Sequence, residues 1–249
     1  MATLIPALGT CVARMTSGER RWAERLQDKL EDDYLLWWDV PIGPKQTRPD
    51  FVVLHPRRGA LILEVKDWRL DTIRRATREY FEIAPDGTPK VVMSPLQQAR
   101  HCAIQVVNAL ERDPQLVQAE GPHKGKLAFP WGHGVVFTRI TRKQFDAAGL
   151  GETIAANYVI CKDEMEESAD PEAFQERLWN MFAHRFGGAI TLPSFLCCML
   201  YGVLIRNLGH LFGLPPGRLK GRHHEVTTGV AFLRSGPAHD LRLVNKPSA

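Results

Sequence analysis

Apolar residues at helical spacing predict a first helix that begins near Gly18. Trp22 and Leu26 are four residues apart, as on one buried face of a helix. Thr16 and Glu19 stand in the spacing of a capping box, in which each side chain accepts a hydrogen bond from the other residue's backbone amide. The chain therefore predicts an amphipathic helix with a defined start.

Two apolar runs follow, Asp50–Leu54 and Ala60–Lys66, and a short segment containing Pro56 and Gly59 joins them. Such runs around a Pro/Gly turn predict a β-hairpin. Because apolarity is nearly continuous in both, we expect strands that are covered on both faces.

Similar patterns predict the other elements. Ser94 is a candidate N-cap and Pro95 a first helical residue, so a second helix is expected from there to about Leu110. Residues 111–132 contain Pro and Gly and predict a loop. The remaining predictions are strands at 34–40, 79–83, 134–138 and 158–161 and a helix at 171–186. This order predicts an α/β sandwich with a mixed central β-sheet flanked by helices.

Charge divides the chain into a neutral body and a basic tail. Residues 1–205 carry 25 Lys and Arg against 26 Asp and Glu, whereas residues 206–249 carry seven against two. The net charge of +4 therefore gives little support to nucleic-acid binding by itself. From about Gly217 onward Gly, Pro, His and basic residues dominate, which predicts poor order.

Neither cysteine spacing nor hydropathy indicates an extracellular or membrane protein. The five cysteines are an odd, scattered set, so we expect reduced thiols in a cytoplasmic protein. The N-terminus lacks the pattern of a signal peptide. The apolar stretch Leu192–Ile205 falls short of the roughly 20 residues that span a bilayer, which favours a buried helix.

The charged residues of the hairpin carry the candidate chemistry. Glu64 and Lys66 are two apart on a strand, so their side chains share a face. With the turn near Arg57–Gly59, position 54 lies opposite about 61 and Asp50 opposite about Val65. Two carboxylates and a lysine then meet, as phosphodiester hydrolysis around a divalent ion requires. A buried Asp/Glu–Lys salt bridge would give the same pattern.

Pro49-Asp50 followed by Glu64-Val65-Lys66 resembles the PD-(D/E)xK nuclease signature. Four motifs in order resemble, more narrowly, the nuclease-related domain (NERD) family across residues 15–140. They are Gly18-Glu19-Arg20, Pro49-Asp50-Phe51, Glu64-Val65-Lys66-Asp67-Trp68 and Ser94-Pro95-Leu96-Gln97-Gln98. The resemblance implies a restriction-endonuclease-like core and Mg²⁺-dependent DNA cleavage, with Mn²⁺ as a substitute. We accordingly expect a nuclease domain over 15–190, an apolar helical extension over 191–216 and a basic tail over 217–249.

The resemblance also suggests roles for single residues. Asp50, Glu64 and the Val65 carbonyl would bind metal, and Lys66 would act on the attacking water. Glu19 would extend the carboxylate cluster, although capping alone also explains it.

Gln98 would reach the rim of the site, or be a solvated glutamine. Ser94 departs from the Asn common in the family, but Ser should cap equally well.

Residues around this site are candidates for contacts with DNA. Arg57, Arg58 and Arg69 belong to a locally basic set that could neutralise phosphates, and Trp68 could stack on a base. Arg57 and Arg58 fit a solvated turn as well.

Two functions remain open at this stage. The first is a Mg²⁺-dependent DNA endonuclease. The second is a DNA-binding or partner-docking module with the same fold and little turnover. The chain has no Walker-type phosphate loop, so a helicase or another DNA-processing protein would be a separate partner.

Overall fold

The computed structural model describes residues 1–43, 46–55, 58–114 and 116–182. Six of its strands form one sheet in the order β1-β2-β3-β4-β8-β9 and three form a second sheet, β5-β6-β7. The strands are β1 (Thr3–Ile5), β2 (Leu35–Trp38), β3 (Phe51–His55), β4 (Gly59–Lys66), β5 (Ile73–Ala76), β6 (Tyr80–Ile83), β7 (Lys90–Met93), β8 (Trp131–Phe137) and β9 (Val159–Ile160). The helices are α1 (Leu8–Cys11), α2 (Ser17–Lys29), α3 (Pro95–Leu110), α4 (Arg142–Ala147) and α5 (Pro171–Trp179).

The large sheet is mixed, as expected from the order of elements. Strands β2, β3 and β4 pair antiparallel, whereas β1 pairs parallel with β2, β8 parallel with β4, and β9 parallel with β8. The carboxyl ends of β4, β8 and β9 therefore lie at one edge of the sheet.

Alternate residues of β4 belong to different hydrophobic cores. Leu61 and Leu63 pack in the core that also contains residues of α2 and α5. Ala60 and Ile62 pack in the core that contains residues of α3. The central sheet is thus covered by helices on both faces, which confirms the predicted α/β sandwich.

The α2 helix begins as predicted, with Thr16 at its N-cap and both hydrogen bonds of the capping box to Glu19. The prediction that the Ser94 hydroxyl caps α3 is wrong. Ser94 stands at the N-cap position, but its side chain is fully buried and makes no capping bond. Its carbonyl oxygen instead accepts from the Gln98 amide.

Several boundaries differ from the expectations. β8 begins at Trp131, three residues earlier than predicted, and α5 ends at Trp179 rather than continuing to 186. The predicted strand 79–83 exists as β6, but it lies in the small antiparallel sheet. Its partners β5 and β7 were not predicted, because they are short and half polar.

The β3–β4 hairpin forms with a register one residue away from the predicted one. Leu54 pairs with Ala60 rather than with residue 61, and His55 pairs with Gly59, so three residues connect the strands. Gly59 has φ +96, and a Cβ there would lie 2.0 Å from the Pro130 carbonyl oxygen. Only glycine fits at this position, because the backbone has a positive φ and packs directly against Pro130.

This register decides which face Asp50 occupies. Phe51 pairs with Leu63, so Asp50 lies opposite Glu64 and not opposite Val65. Directly opposed residues point to the same face, whereas a one-residue shift would reverse the face. The observed register is therefore the one that places the two carboxylates together.

Other predictions concern single side chains and the C-terminal region. Cys11, Cys102 and Cys161 are buried free thiols, as expected. Cys197, Cys198, the extension 191–216 and the tail 217–249 lie outside the described residues.

No helix in the described part of the chain is long and apolar enough to cross a membrane.

Candidate active site

Asp50 and Glu64, the carboxylate pair, meet where β3 begins and β4 approaches its end. The Asp50 Oδ2 atom accepts a hydrogen bond of 2.7 Å from the Val65 amide. The Glu64 side chain is 2 % exposed and lies in hydrogen-bonding contact with Asp50. The backbone of β4 therefore holds Asp50 beside Glu64.

Lys66 joins the pair from the same face of β4. Its Nζ atom lies 2.5 Å from Glu64 Oε1 and 3.1 Å from Gln98 Oε1. The same ammonium group lies 5.5 Å from the centre of the Trp68 ring. Gln98 thus reaches the site from α3, as predicted, and its amide oxygen orients Lys66.

Glu19 approaches from α2, on the other side of the sheet. Its Oε2 atom accepts from the Thr16 amide at 2.7 Å, and its Oε1 atom accepts from the Trp38 indole at 3.3 Å. Its charge also raises the pKa of Asp50 and of Glu64. Glu19 therefore caps α2 and adds negative potential to the site at the same time.

The carboxyl groups of the pair have raised pKa values. Burial, then the neighbouring charge of Glu64, raises the pKa of Asp50 to about 8. Burial likewise raises the pKa of Glu64, although the Lys66 ammonium opposes that rise. One lysine does not offset three carboxylates, so the pair retains a proton unless another positive charge is present.

The donor set of the pair fits Mg²⁺. This ion is usually held by one or two carboxylates, several waters and substrate phosphates rather than by an all-protein cage. Asp50, Glu64 and the Val65 carbonyl are the groups that would supply such a partial oxygen shell. In the described ranges no group of three or more His, Cys, Asp or Glu side chains is placed so that it could hold a metal ion.

The predicted DNA-contacting residues are not all near the pair. Arg58 lies at the opposite end of the hairpin, where its guanidinium packs 5.4 Å from the centre of the Trp179 ring. Arg57 lies outside the described residues. Arg69 is exposed and forms an ion pair of 2.6 Å with Asp71.

Trp68 is half-buried and packs between Phe81 and Phe137, with ring centroids 5.8 and 6.3 Å away. Its ring is therefore partly engaged in the protein interior, while one part lies near the Lys66 ammonium.

Sequence reasoning missed two contacts around the site. The Trp38 indole donates a hydrogen bond that orients Glu19. At the end of β4, Asp67 accepts hydrogen bonds from four side chains. A signal for Asp67 was available. It directly follows Lys66, and a charged residue just past a buried strand lies at the sheet edge where ligands bind.

A family model described as nuclease-related domain matches residues 14–138. This range is half of the 249-residue chain and contains all the residues placed at the site. No curated protein and no solved structure matches the chain. The match agrees with the mixed α/β fold. The chain belongs to the nuclease-related domain family.

Proposed function

We propose that this protein is a Mg²⁺-dependent nuclease that hydrolyses phosphodiester bonds in DNA. The observation that carries the proposal is the convergence of Asp50, Glu64 and Lys66 at one end of the β3–β4 hairpin. The family match supports a nuclease-related function for the same segment.

Each residue has a definite task in this proposal. Asp50 and Glu64 hold the ion together with the Val65 carbonyl, and Gln98 orients the Lys66 ammonium. Lys66 positions the attacking water and offsets charge that develops on the phosphate. Glu19 lies behind the pair and assists it through its charge and through water. A divalent ion, when bound, polarises the phosphate and lowers the pKa of a coordinated water.

Cleavage assays on single-stranded, duplex and branched DNA, with Mg²⁺, Mn²⁺ or chelator, test the activity. We expect ion-dependent cleavage that chelator abolishes. Asp50→Asn and Glu64→Gln should lower activity by more than the roughly 10–100-fold that an outer-shell partner costs. Glu120→Gln, a change at an exposed glutamate of the 111–130 segment, is the matched control and should behave as wild type.

Lys66→Met separates a catalytic lysine from a purely structural one. Because acid–base groups contribute about 10²–10⁴-fold, we expect a loss of that size with metal and DNA binding retained. A structural ion pair would instead leave Glu64 buried without its partner, which costs about 3–5 kcal/mol. Urea denaturation with and without Mg²⁺ distinguishes the two outcomes.

A loss of more than about 3 kcal/mol that Mg²⁺ does not recover would exclude the catalytic role of Lys66. DNA binding without cleavage under any ion would favour the binding module over the nuclease.

A further inference from the structure

A polar cavity lies at the carboxyl ends of the parallel strands β4, β8 and β9. Its volume is about 360 Å³, within the range of ordinary ligand sites. The basic pocket, as we call it, is lined by Ser17, Arg21, Arg69, Arg139 and Lys162.

The topology of the sheet brings these residues together. Arg69 follows β4, Arg139 follows β8 and Lys162 follows β9, and the three strands are parallel neighbours. The first turns of α2 supply Ser17 and Arg21. Ligands of α/β proteins commonly bind outside the carboxyl ends of such strands.

Asp67 binds three of the side chains that line the basic pocket. Arg139 binds its two carboxylate oxygens through Nε and Nη2, both at 2.8 Å. Arg21 Nη2 donates to Oδ1 at 3.1 Å, and Ser17 Oγ donates to Oδ2 at 2.7 Å. Burial would raise the pKa of Asp67, but the hydrogen bonds from Arg139, Thr138 and Ser17 outweigh it and lower that pKa to about 2. This carboxylate therefore stays ionised and holds both guanidinium groups in place.

The pocket keeps an excess of positive charge after these pairings. Its four cations face two carboxylates, Asp67 and Asp71. The side chains of Arg21, Arg69 and Arg139 remain 43, 66 and 44 % exposed. Lys162 is exposed as well. Cations that converge on a concave, solvent-open surface favour an anionic ligand.

The basic pocket and the carboxylate pair share two elements. Lys66 and Asp67 are consecutive at the end of β4, and Lys66 faces α3 while Asp67 faces α2. Ser17 and Glu19 stand two residues apart at the start of α2. A DNA strand carries one charge about every 3.4 Å along its axis. Because the two places adjoin on β4 and α2, phosphates of one strand can contact both.

We propose that the basic pocket binds a phosphate group of the DNA strand, next to the phosphate that is cleaved. This inference rests on the proposed function for its ligand. The phosphate is either a terminal 5′-phosphate or an internal one, and both present the same anionic oxygens to the pocket.

The test uses a double variant that leaves the Asp67 contacts intact. Arg69→Gln with Lys162→Gln removes two pocket charges, and Arg112→Gln with Lys124→Gln removes two exposed charges elsewhere as the matched control. Binding of short, 3′-labelled single-stranded DNA is measured by anisotropy in chelator. Because the pocket neutralises one phosphate of the single strand, we expect the pocket variant alone to flatten the slope of log affinity against log salt by about 0.7.

The 5′ end of the probe identifies the source of the phosphate. If wild type prefers a 5′-phosphate over a 5′-hydroxyl and the pocket variant loses that preference, the ligand is terminal. If the variant weakens both strands equally, the ligand is internal. Identical binding by the pocket variant and the control variant would overturn the proposal.

Inorganic phosphate provides a test that needs no DNA. Compared with chloride at equal ionic strength, it should raise the melting temperature of wild type and of the control variant but not of the pocket variant. An equal rise in all three proteins would overturn the pocket assignment. Because neither measurement involves cleavage, failure of the nuclease proposal and failure of this one are distinguishable.

Discussion

The carboxyl group of Asp50 shows how one residue links the fold to the proposed chemistry. It is placed opposite Glu64, accepts from the Val65 amide, and has a pKa raised to about 8 from 3.8. Keeping this carboxyl protonated costs the folded protein stability at neutral pH, where the unfolded chain has released the proton. In the proposed function, a cation would displace this proton and Asp50 would become its ligand.

The pH dependence of stability tests this view of Asp50. Between about pH 4 and 8 the folded protein holds a proton that the unfolded chain has released, so stability falls as pH rises through this window. The slope for one proton is at most about 1.4 kcal/mol per pH unit. We expect Asp50→Asn to remove this contribution and to be more stable than wild type near pH 8 in chelator.

The measurement is urea denaturation at several pH values, read as the difference between wild type and variant. The difference matters because burial lowers the pKa of His133 to about 4, which makes stability rise between pH 4 and 6.5 in both proteins. A difference that does not change with pH would show that Asp50 is ionised in the folded protein.

At the scale of elements, the start of α2 must lie very close to the ends of β4 and β8. Gly18 is buried there, and a Cβ would lie 2.7 Å from Thr138 Oγ1 and 3.0 Å from Asp67 Cβ. Glycine at this position lets the first turn of α2 present Ser17 to the basic pocket and Glu19 to the carboxylate pair.

Gly18→Ala therefore should reverse the usual effect of this substitution. Alanine normally stabilises a helix by about 1 kcal/mol relative to glycine, but overpacking costs about 1–3 kcal/mol. We expect a net destabilisation by up to about 2 kcal/mol and weaker activity. Gly9→Ala in α1 has no atom within 4 Å of the new Cβ and serves as the control. Denaturation curves on which the two variants shift equally would contradict the close approach.

Elements were predictable where a long periodic pattern exists and unpredictable where pairing depends on a few atoms. The capping box and apolar face of α2, and the two runs of the hairpin, identified those elements. The hairpin register depends on a three-residue connection at Gly59, which apolar patterning does not encode. β5 and β7 are too short and polar for the pattern to show them.

The same distinction applies to the sites. The convergence of Asp50, Glu64 and Lys66 was predictable because a local motif on one hairpin carries them, whereas Gln98 was suggested only by the family resemblance. The basic pocket was not, because Arg69, Arg139 and Lys162 are far apart in sequence and meet only through the parallel order of their strands.

At the scale of the whole molecule, the excess of positive charge lies in a different segment of the chain from the two sites. The near-neutral body contains the carboxylate pair and the basic pocket. Residues 217–249, outside the described part of the chain, hold six Lys and Arg against two Asp and Glu. If DNA is the substrate, this excess supplies affinity that is independent of DNA sequence.

Deleting residues 217–249 should therefore weaken DNA binding without changing cleavage at saturating DNA. If about half to most of the six cations contact phosphates, the deletion would flatten the slope of log affinity against log salt by about 2–4. A full-length variant with the six Lys and Arg changed to Gln is the control for length. It should match the deletion if charge is responsible.

Titrations of DNA at several salt concentrations give the slopes, and an unaltered slope in the deletion would exclude a contribution of the tail. A flattened slope in the deletion but not in the Gln variant would assign the effect to the segment itself rather than to its charge.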